Sequence, residues 1–443
     1  MAASEPDSRA APSSGRAWGM VAALFLIYVF SWLDRLSVSM LVAPIKQTMQ
    51  LTDTEMSLVL GPSFAFAYAV FGVPFGWAAD RYSRRAVIFF GVLAWATATV
   101  ACGFAKTFEA LLVARVFVGI GEAALLPAAY SLIGDAFPPN RVTVATSVFQ
   151  SAGKTGSAVA FGLGGLAIAF AKTLEHVDWP MHGPASYWQV TFGLVGVPGF
   201  LLAFLAFSFP EPGRRRATAE PDSAPRGELF GFLRENASLC CLVALAFTCL
   251  AMVGYSLTSW VPSYIDRRFG WEPERYGMAL SMMNILGAVA LVVCGRTVDW
   301  LFSRGVRDAH LRFYAWTIAV LSPVIVYAFF ATNPYVFLAC YALIQIITVP
   351  FIVYGSAIIA LLAPSRLRGR LLGLLMFVFN IAGFGGGPAL VGLLTDRVFG
   401  SEALVGQSLA VVTIGGALVA FVAMWFAMPV LDRAVAARQE QST

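Results

Sequence analysis

The sequence predicts an all-α membrane protein in which twelve transmembrane helices form two pseudo-symmetric six-helix bundles. Hydrophobic residues make up 58% of the 443 residues and charged residues only 12%, whereas a soluble domain carries about 25% charged residues. Twelve apolar segments are long enough to cross a bilayer, and the two halves of the chain repeat each other's polar loops. The basic residues are dispersed among the apolar segments, so the net charge of +5 does not indicate a nucleic-acid partner.

The apolar segments define the predicted domain organisation, because a bilayer-crossing helix needs about 20 mostly apolar residues. We expect an N-terminal bundle at 18–209, a polar cytoplasmic linker at 210–236 and a C-terminal bundle at 237–430. A disordered cytoplasmic tail is expected at 1–17 and a second cytoplasmic tail at 431–443. Spans 1 to 12 are predicted at 18–43, 55–78, 84–105, 108–134, 142–171, 187–209, 238–265, 275–300, 311–331, 335–362, 369–395 and 404–430.

Lysine and arginine are distributed unequally between the two sets of loops. The tails and the loops after even-numbered spans carry 20 of the 30, and the opposite loops carry 7. The remaining three, Arg35, Arg115 and Lys154, lie within spans. Because cytoplasmic loops are enriched in these residues, we expect a multi-pass plasma-membrane protein with both termini in the cytoplasm.

The two halves of the chain contain a repeated loop. "GWAADRYSRR" (76–85) follows span 2, and "GRTVDWLFSR" (295–304) follows span 8. In both segments an Asp lies four residues after the first Gly, and an Arg lies nine residues after it. Repeated six-helix halves are typical of transporters that rock around a central binding site.

These loops and span 4 resemble two motifs of the major facilitator superfamily. The loop after span 2 is similar to G-x-L-A-D-R-x-G-R-K, and "LVARVFVGIGEAA" in span 4 is similar to L-x-x-R-x-x-Q-G-x-G. Ala78, Ser83 and Val118 depart from the motifs. The resemblance covers nearly the whole chain, and it implies the major facilitator fold and transport by alternating access. The matching residues are Gly76, Asp80, Arg81, Arg84, Arg85, Leu112, Arg115, Gly119 and Gly121.

Within that superfamily, the chain is most similar to the bacterial Spinster-like transporters. The similarity lies in the Asp-Arg pair of span 1, in "GIGEAALLPAAYSLIGDAFPPNR" (119–141) and in "YSLTSWVPSYIDRRFG" (255–270). It implies a bacterial inner-membrane protein that moves an amphipathic substrate, such as a lysophospholipid or a sphingosine-phosphate-like lipid, together with protons. We expect a monomer without a cofactor. The anion:cation symporter family shares the Asp-Arg pair, and Ser31 stands where both families usually have Asn.

Five ionisable residues fall within the N-terminal spans, where a charge costs roughly 2.5–3.5 kcal/mol even on the mild insertion scale. The helical rise places Asp34 and Arg115 at one level in the outer half of the bilayer, with Glu122 and Lys154 near the midplane. The histidines are predicted in loops, so Asp34 and Glu122 are the candidate proton-coupling groups. Arg35 and Arg115 stay charged, and we predict that they tune these carboxyls or hold an anion. Alternatively, the charges only hold the bundle together.

The polar end of the substrate is expected beside Arg35, Arg115, Glu122 and Lys154. The C-terminal spans contain no comparable charge, so the apolar end of an amphipathic substrate is expected there. The predicted lining residues are Met282, Tyr354, Phe377 and Asn380. The alternative for each apolar residue is helix packing or lipid contact.

Charged residues at the cytoplasmic ends of spans 2 and 8 are predicted gate residues. In the superfamily, the counterpart of Asp80 contacts the start of span 11, where the helix dipole favours a carboxylate. We predict that Asp80 latches the cytoplasmic gate with Arg84 or Arg85, beside Arg81, and that Asp299 is its counterpart in the second half. The alternative is that the basic loop only sets the topology.

Span 11 contains "GFGGGP" (383–388), which does not form a stiff α-helix. We interpret Gly383, Gly387 and Pro388 as a gating bend, with close helix packing as the alternative.

Two other function classes are disfavoured. An intramembrane enzyme needs a nucleophile with a base, or metal ligands, and the spans show neither beyond Asp34 and Glu122. A drug:proton antiporter carries a Gly-Pro motif in span 5, where this chain has Ala160 and Phe161. A proton symporter for small organic anions remains the main alternative to a lipid transporter.

Overall fold

The computed structural model describes residues 14–174, 178–179, 183–214 and 226–440, and it confirms the twelve spans. We keep the span numbers for the observed helical segments. Spans 1 to 6 are Gly15–Met40, Asp53–Arg81, Arg84–Gly103, Phe108–Ala136, Arg141–Thr173 and Tyr187–Phe207. Spans 7 to 12 are Ala237–Phe269, Pro273–Ser303, Ala309–Ala328, Pro334–Leu362, Arg366–Phe399 and Glu402–Ala436.

Eighteen α-helices and one short β-pair build these spans and their connections. The N-terminal half contains α1 Ser14–Met40, α2 Val42–Met49, α3 Asp53–Leu60, α4 Pro62–Arg81, α5 Arg84–Gly103, α6 Phe108–Glu122, α7 Leu125–Ala136, α8 Pro139–Thr173, β1 Asp178–Trp179, β2 Gly183–Pro184 and α9 Tyr187–Ala203, followed by a 3₁₀ turn at Phe204–Phe207. The remainder contains α10 Arg226–Glu235, α11 Ala237–Phe269, α12 Pro273–Ser303, α13 Ala309–Ala328, α14 Pro334–Thr348, α15 Phe351–Leu362, α16 Ser365–Val378, α17 Gly387–Leu393 and α18 Val405–Glu440. Two π-helical segments, Phe379–Gly386 and Leu394–Phe399, flank α17, and a 3₁₀ turn at Glu402–Leu404 precedes α18.

Several spans are interrupted where the sequence weakens the helix. Span 2 breaks at Gly61, directly before Pro62, and span 10 breaks before Phe351 at Pro350. Span 4 breaks at residues 123–124, because Pro127 has no N–H to donate to the carbonyl of Ala123. The break comes directly after Glu122, so the predicted midplane carboxylate lies at the end of α6.

The structure differs from two sequence-based expectations, for the N-terminal tail and for His310, and adds helices within the predicted linker and the predicted C-terminal tail. Helix α1 begins at Ser14, inside the predicted N-terminal tail, and α18 continues through the predicted C-terminal tail to Glu440. The segment "LDRAVAARQE" is rich in strong helix formers and lacks Gly and Pro, which explains this extension. The predicted linker contains helix α10. His310 is the second residue of α13 and is buried, whereas the sequence placed it in a loop; His176 and His182 lie outside the described residues.

The two halves use the same helix pairing, as the repeated motifs predict. Span 1 packs against span 5, span 2 against span 4, and span 3 against span 6. In the second half, span 7 packs against span 11, span 8 against span 10, and span 9 against span 12. The halves meet where span 5 lies against span 8 and where span 2 lies against span 11. Both seams depend on glycine. A Cβ on Gly277 of span 8 would overlap the Phe161 carbonyl oxygen of span 5, and a Cβ on Gly61 would lie 2.6 Å from the Phe384 oxygen.

Polar contacts join the two halves on one side of the molecule. We call the side on which α1 begins and α18 ends the terminal side, and the opposite side the distal side. Hydrogen bonds and ion pairs join described residues of the two halves on the distal side, where they involve Met40 to Thr54 or Lys172 of the first half. The halves are therefore held together by polar contacts on the distal side.

The described ends of the predicted linker are each attached to one half of the protein. Glu211 accepts hydrogen bonds from the Arg84 backbone (2.9 Å) and from Arg84 Nε (3.0 Å), and Arg214 donates to the carbonyl oxygens of Ala79 and Tyr82. At the other end of the linker, α10 packs on the C-terminal half, where Glu228 pairs with Arg366.

Candidate functional site

Span 1 and span 4 bring two buried ion pairs together in the N-terminal half. Asp34 and Arg115 are both almost fully buried, and Arg115 Nη1 lies 3.5 Å from Asp34 Oδ1. Thr99 of span 3 also donates a hydrogen bond from Oγ1 to Asp34 Oδ2. The structure thus confirms that Asp34 and Arg115 lie at one level.

The second ion pair joins Arg35 to Glu122. Arg35 Nε and Nη2 each lie 2.6 Å from Glu122 Oε2, and Ser31 Oγ donates to the same oxygen at 2.6 Å. In this conformation Arg35 therefore pairs with Glu122, and Arg115 pairs with Asp34. Adjacent residues on one helix point to different partners because their side chains are about 100° apart around the helix axis.

An aromatic cage surrounds the Arg35 guanidinium. Its Cζ atom lies 5.3 Å from the ring centroid of Trp32, 4.6 Å from that of Phe64 and 4.9 Å from that of Tyr68. The Phe64 ring is also 5.7 Å from Arg115 Cζ, so one ring separates the two pairs. Ring faces attract cations, and their bulk excludes water. Removing one partner of such a buried pair typically costs about 3–5 kcal/mol, because the other charge is left uncompensated.

The sequence reasoning missed the cage, although two signals for it were present. Trp32 precedes Arg35 by three residues, and Phe64 precedes Tyr68 by four, so each pair shares one helix face. That spacing shows which residues share a face but does not show which helix the face meets.

Several buried polar atoms of this cluster have no hydrogen-bond partner among the described residues. They are Asp34 Oδ1, Glu122 Oε1, Trp32 Nε1 and all three guanidinium nitrogens of Arg115. Buried polar groups are nearly always hydrogen-bonded. The cluster can therefore accept further partners, such as a proton on a carboxylate or an anion on the guanidinium.

Lys154 of span 5 borders the cluster without joining it. A Cβ on Gly153 would lie 3.5 Å from Trp32 Nε1, and a Cβ on Gly156 would lie 2.7 Å from Trp32 Cβ. These close approaches place the Lys154 turn of the helix against the cage. Lys154 is partly exposed, and no described residue forms an ion pair with it.

The four predicted C-terminal residues occupy different environments. Asn380 is partly exposed, and its Nδ2 donates to the Met376 carbonyl oxygen; Phe377 is 46% exposed. Tyr354 is buried inside the C-terminal bundle beside His310 and Tyr314. Asn380 and Phe377 thus remain accessible to a ligand, whereas Tyr354 does not.

Met282 belongs to a continuous apolar stripe along span 8. The exposed positions recur every three or four residues and so share one helix face. Met282 is 62% exposed on this stripe, and its role as a residue that lines a binding site stays a prediction. The stripe consists of Met278, Met282, Ile285, Leu286, Val289 and Val293.

The predicted terminal-side gate is not engaged in this conformation. Asp80 and Asp299 are exposed, and no ion pair with a described residue involves either of them. Arg84 is buried, and it pairs with Asp135 and Glu211 instead of Asp80.

The neighbouring basic residues of this loop contact other groups. Arg85 Nε donates to the Ala206 carbonyl oxygen at 3.0 Å, and Arg81 lies over the Trp77 ring. The predicted latch between Asp80 and Arg84 or Arg85 is therefore absent from this state of the described chain.

The glycine-rich segment of span 11 is both irregular and closely packed. Residues Phe379–Gly386 form a π-helix. A Cβ on Gly383 would lie 2.8 Å from Ala251 Cβ, and one on Gly387 would lie 2.6 Å from the Met252 oxygen, so both glycines pack on span 7. Pro388 is buried, and its carbonyl oxygen accepts a hydrogen bond from Trp260 Nε1.

A charge network closes the distal side, and sequence reasoning did not identify it. Asp53 is fully buried and accepts two hydrogen bonds of 2.7 Å from the Arg267 guanidinium, together with one from Lys46. Lys46 also lies 2.7 Å from Glu402. We call these four residues the distal latch. They come from four separate segments of both halves, so no local motif marks them.

Asp396 fixes the start of span 2 beside this latch. Its carboxylate accepts a 2.6 Å hydrogen bond from the Thr54 backbone N–H at the first turn of α3. A carboxylate is favourable at a helix N-terminus, so span 11 caps span 2 across the seam between the halves.

Comparison with known proteins agrees with the resemblance. The sequence profile of the Major Facilitator Superfamily matches residues 24–307. An MFS-type efflux pump of Mycolicibacterium smegmatis is 29% identical over 93% of this chain and 92% of its own length. The hexuronate transporter of Bacillus subtilis is 26% identical over 88% and 90%, and human protein spinster homolog 1 is 28% identical over 87% and 74%.

Solved structures share the fold of this chain. A bacterial homolog of the human lysosomal transporter Spinster, crystallised in an inward-facing and unoccupied conformation, superimposes with a TM-score of 0.77. The two sequences are 22% identical, and the match covers 96% of this chain and 98% of the other. In this chain, the fold shared with these solved structures positions the two ion pairs Asp34–Arg115 and Arg35–Glu122.

Proposed function

The chain belongs to the Major Facilitator Superfamily and is a secondary transporter, and from this premise we propose that it moves an amphipathic anion together with protons by alternating access. The observation that carries the proposal is the pair of buried ion pairs, Asp34–Arg115 and Arg35–Glu122, with their unpartnered polar atoms. Ionisable groups within a membrane typically mark a substrate pathway or a proton relay.

The geometry supports a coupling step in which a proton and an anion bind together. Two Arg35 nitrogens and the Ser31 hydroxyl converge on a single oxygen of Glu122, while Glu122 Oε1 is unpartnered. A proton on Glu122 removes the negative charge that holds Arg35. The guanidinium is then available to a phosphate or carboxylate head group, which it binds with planar, bidentate geometry.

Alternating access is supported by the charge network that joins the halves on the distal side. If both termini are cytoplasmic, as the distribution of basic residues indicates, the distal side is the outside and the conformation is inward-facing. The Spinster homolog of similar fold was solved in an inward-facing conformation. The protein then belongs in a bacterial inner membrane, with the distal latch as its closed outer gate.

A symporter of small organic anions is the second candidate. The hexuronate transporter of Bacillus subtilis matches 88% of this chain, and a guanidinium binds a sugar carboxylate as readily as a lipid phosphate. Uptake of a labelled lysophospholipid and of a labelled hexuronate into proteoliposomes, with and without a pH gradient, separates the candidates. Uptake of the hexuronate but not of the lysophospholipid would identify the protein as a symporter of small organic anions.

Proton coupling is tested by Glu122→Gln and Asp34→Asn. We expect each substitution to abolish uptake driven by a pH gradient, because the amide cannot be protonated. Substrate counterflow, which needs no net proton movement, is expected to survive in at least one variant. Glu109→Gln is the matched control, since Glu109 is exposed in the first turn of the same helix as Glu122. A pH dependence like that of wild type in both variants would contradict the assignment.

A further inference from the structure

An apolar groove lies in the C-terminal half, apart from the ion pairs. Its volume is about 370 Å³, in the range of small-molecule sites. Linker helix α10 and the terminal-side ends of spans 7, 10 and 11 enclose it, and Leu239, Val243, Ile359, Leu371 and Leu375 line it. It shares no lining residue with the charged cluster of spans 1 and 4.

Helix α10 forms one wall of this groove and has the pattern of a membrane-surface helix. Leu229, Phe232 and Leu233 pack toward span 11, whereas Phe230 is 73% exposed. An amphipathic helix with apolar groups exposed at the ends of transmembrane spans is typical of the boundary between head groups and acyl chains. The groove therefore opens at the level of the lipid head groups.

Two arginines stand at the mouth of the groove. Arg368 Nε donates a 3.1 Å hydrogen bond to the carbonyl oxygen of Ala363, a lining residue. Arg366 pairs with Glu228 of α10, yet its side chain is still 53% exposed. Each guanidinium is thus held beside the apolar groove by a contact within the protein, and each is still exposed enough to bind an anionic group.

We propose that this groove binds an anionic diacyl phospholipid from the leaflet on the terminal side. One acyl chain lies in the apolar groove, and the phosphate binds Arg366 and Arg368. Basic pockets between transmembrane helices on the cytoplasmic side are suited to anionic head groups, and the apolar lining excludes a small polar anion. The proposal does not depend on the transported substrate or on proton coupling.

The head-group contact is tested by native mass spectrometry of the purified, delipidated protein with added phosphatidylglycerol or phosphatidylcholine. Wild type is expected to retain phosphatidylglycerol preferentially. Arg366→Ala or Arg368→Ala should each weaken retention about fivefold, since one arginine near an anionic lipid contributes about that factor. Arg304→Ala is the matched control, because Arg304 is exposed in the loop after span 8 and lies over the Trp300 ring.

A purely structural role of Arg366 is separated from lipid binding by Glu228→Gln. Both Glu228→Gln and Arg366→Ala break the same ion pair, but only Arg366→Ala removes the cation. The proposal requires that Glu228→Gln retains the lipid while Arg366→Ala loses it. Equal losses in both variants would show that α10 docking, and not phosphate binding, is the function of Arg366, and would overturn the assignment.

The acyl-chain contact is tested by filling the groove. Leu374 lines the groove and is 45% exposed, so Leu374→Trp adds bulk without entering the core. This variant should retain less phosphatidylglycerol, whereas Leu418→Trp, at an exposed leucine of span 12, should not. Equal retention of both lipids by wild type would overturn the proposal.

Discussion

At the scale of single residues, two ion pairs join spans 1 and 4, Asp34 with Arg115 and Arg35 with Glu122. This pairing determines which charged side chains are available to bind a ligand. Arg35 and Arg115 each face one carboxylate, and Ser31 donates to Glu122 although the related families usually have Asn there. The shorter hydroxyl side chain supplies the same kind of donor. Lys154 has no carboxylate partner among the described residues, so it is the cation of this region with the greatest freedom to bind an added anion.

Lys154→Ala is expected to weaken binding of an anionic amphiphile and to leave its uncharged analogue nearly unaffected. An unpaired cation in a partly desolvated site attracts an anion by roughly 1–3 kcal/mol, which corresponds to a loss of about 5- to 150-fold. Affinity for both ligands is measured in detergent with the purified variants. Lys106→Ala, in a distal loop, is the control. Equal losses for the two ligands would make Lys154 a structural residue.

Glu211 provides a pH-dependent contact outside the membrane. Burial raises the pKa of its carboxyl, but hydrogen bonds from the Ser83 hydroxyl and from the Arg84 backbone and guanidinium outweigh burial and hold the pKa below its ordinary value of 4.5. A lowered folded-state pKa stabilises the protein fully above the unfolded value. This stabilisation is lost as the pH falls through the folded-state value.

Glu211→Gln is therefore expected to lower thermal stability at pH 7 by about 1 kcal/mol or less, since the carboxylate is partly exposed. The difference between variant and wild type should shrink as the pH falls below 4.5. Thermal unfolding across that range measures it, with Glu109→Gln as the comparison. A difference independent of pH would show that the contact does not depend on charge.

At the scale of helices, glycine determines how closely the two halves approach. Gly277 of span 8 faces the Phe161 carbonyl oxygen of span 5, whereas Gly295 of the same span has no atom within 4 Å of a built Cβ. A methyl group at 277 therefore separates the spans, while a methyl group at 295 meets open space. Backbone atoms cannot relax as a flexible side chain does, so the seam has to widen.

Gly277→Ala is expected to shift the protein toward a form that is open on the distal side and to slow transport. Labelling of single cysteines in the distal seam reports the opening, and Gly295→Ala is the matched control. Replacing Gly by Ala stabilises either helix by the same amount, about 1 kcal/mol. Any difference in labelling between the two variants therefore comes from the contact of residue 277 with the Phe161 carbonyl oxygen. Identical labelling would mean that the seam tolerates a methyl group.

At the scale of the whole molecule, two charge clusters on opposite sides are expected to set the balance between conformations. The distal latch is engaged, while Asp80 on the terminal side has no ion pair with a described residue. Asp53→Asn leaves Lys46 and Arg267 without a buried anion in the closed state. This substitution should favour the distal-open form by at least about tenfold.

Asp80→Asn is expected to act in the opposite direction. It removes the charge of the predicted terminal-side latch, so the population should move further toward the terminal-open form. Cysteine accessibility on both walls measures the two shifts, and Asp266→Asn is a control beside the distal latch but in no described ion pair. Shifts in the same direction would contradict two opposed latches.

The sequence by itself determined the twelve spans, the repeated halves and the shared level of Asp34 and Arg115. These features depend on apolar length and helical rise, which are properties of one segment at a time. Asp34 and Arg115 could therefore be assigned to one level before their contact was known. The C-terminal extension of α18 follows equally from local helix propensity.

Only the tertiary structure decided which charges pair and which side of the molecule is closed. Pairing depends on how each helix is rotated about its axis, and that rotation is set by close contacts such as Gly156 against Trp32. The same rotation leaves Met282 exposed and turns Tyr354 into the bundle. Closure depends on contacts such as that between Thr54 and Asp396, which are 342 residues apart. Contacts between such distant residues follow from how the two halves pack, and no short stretch of the chain encodes that packing.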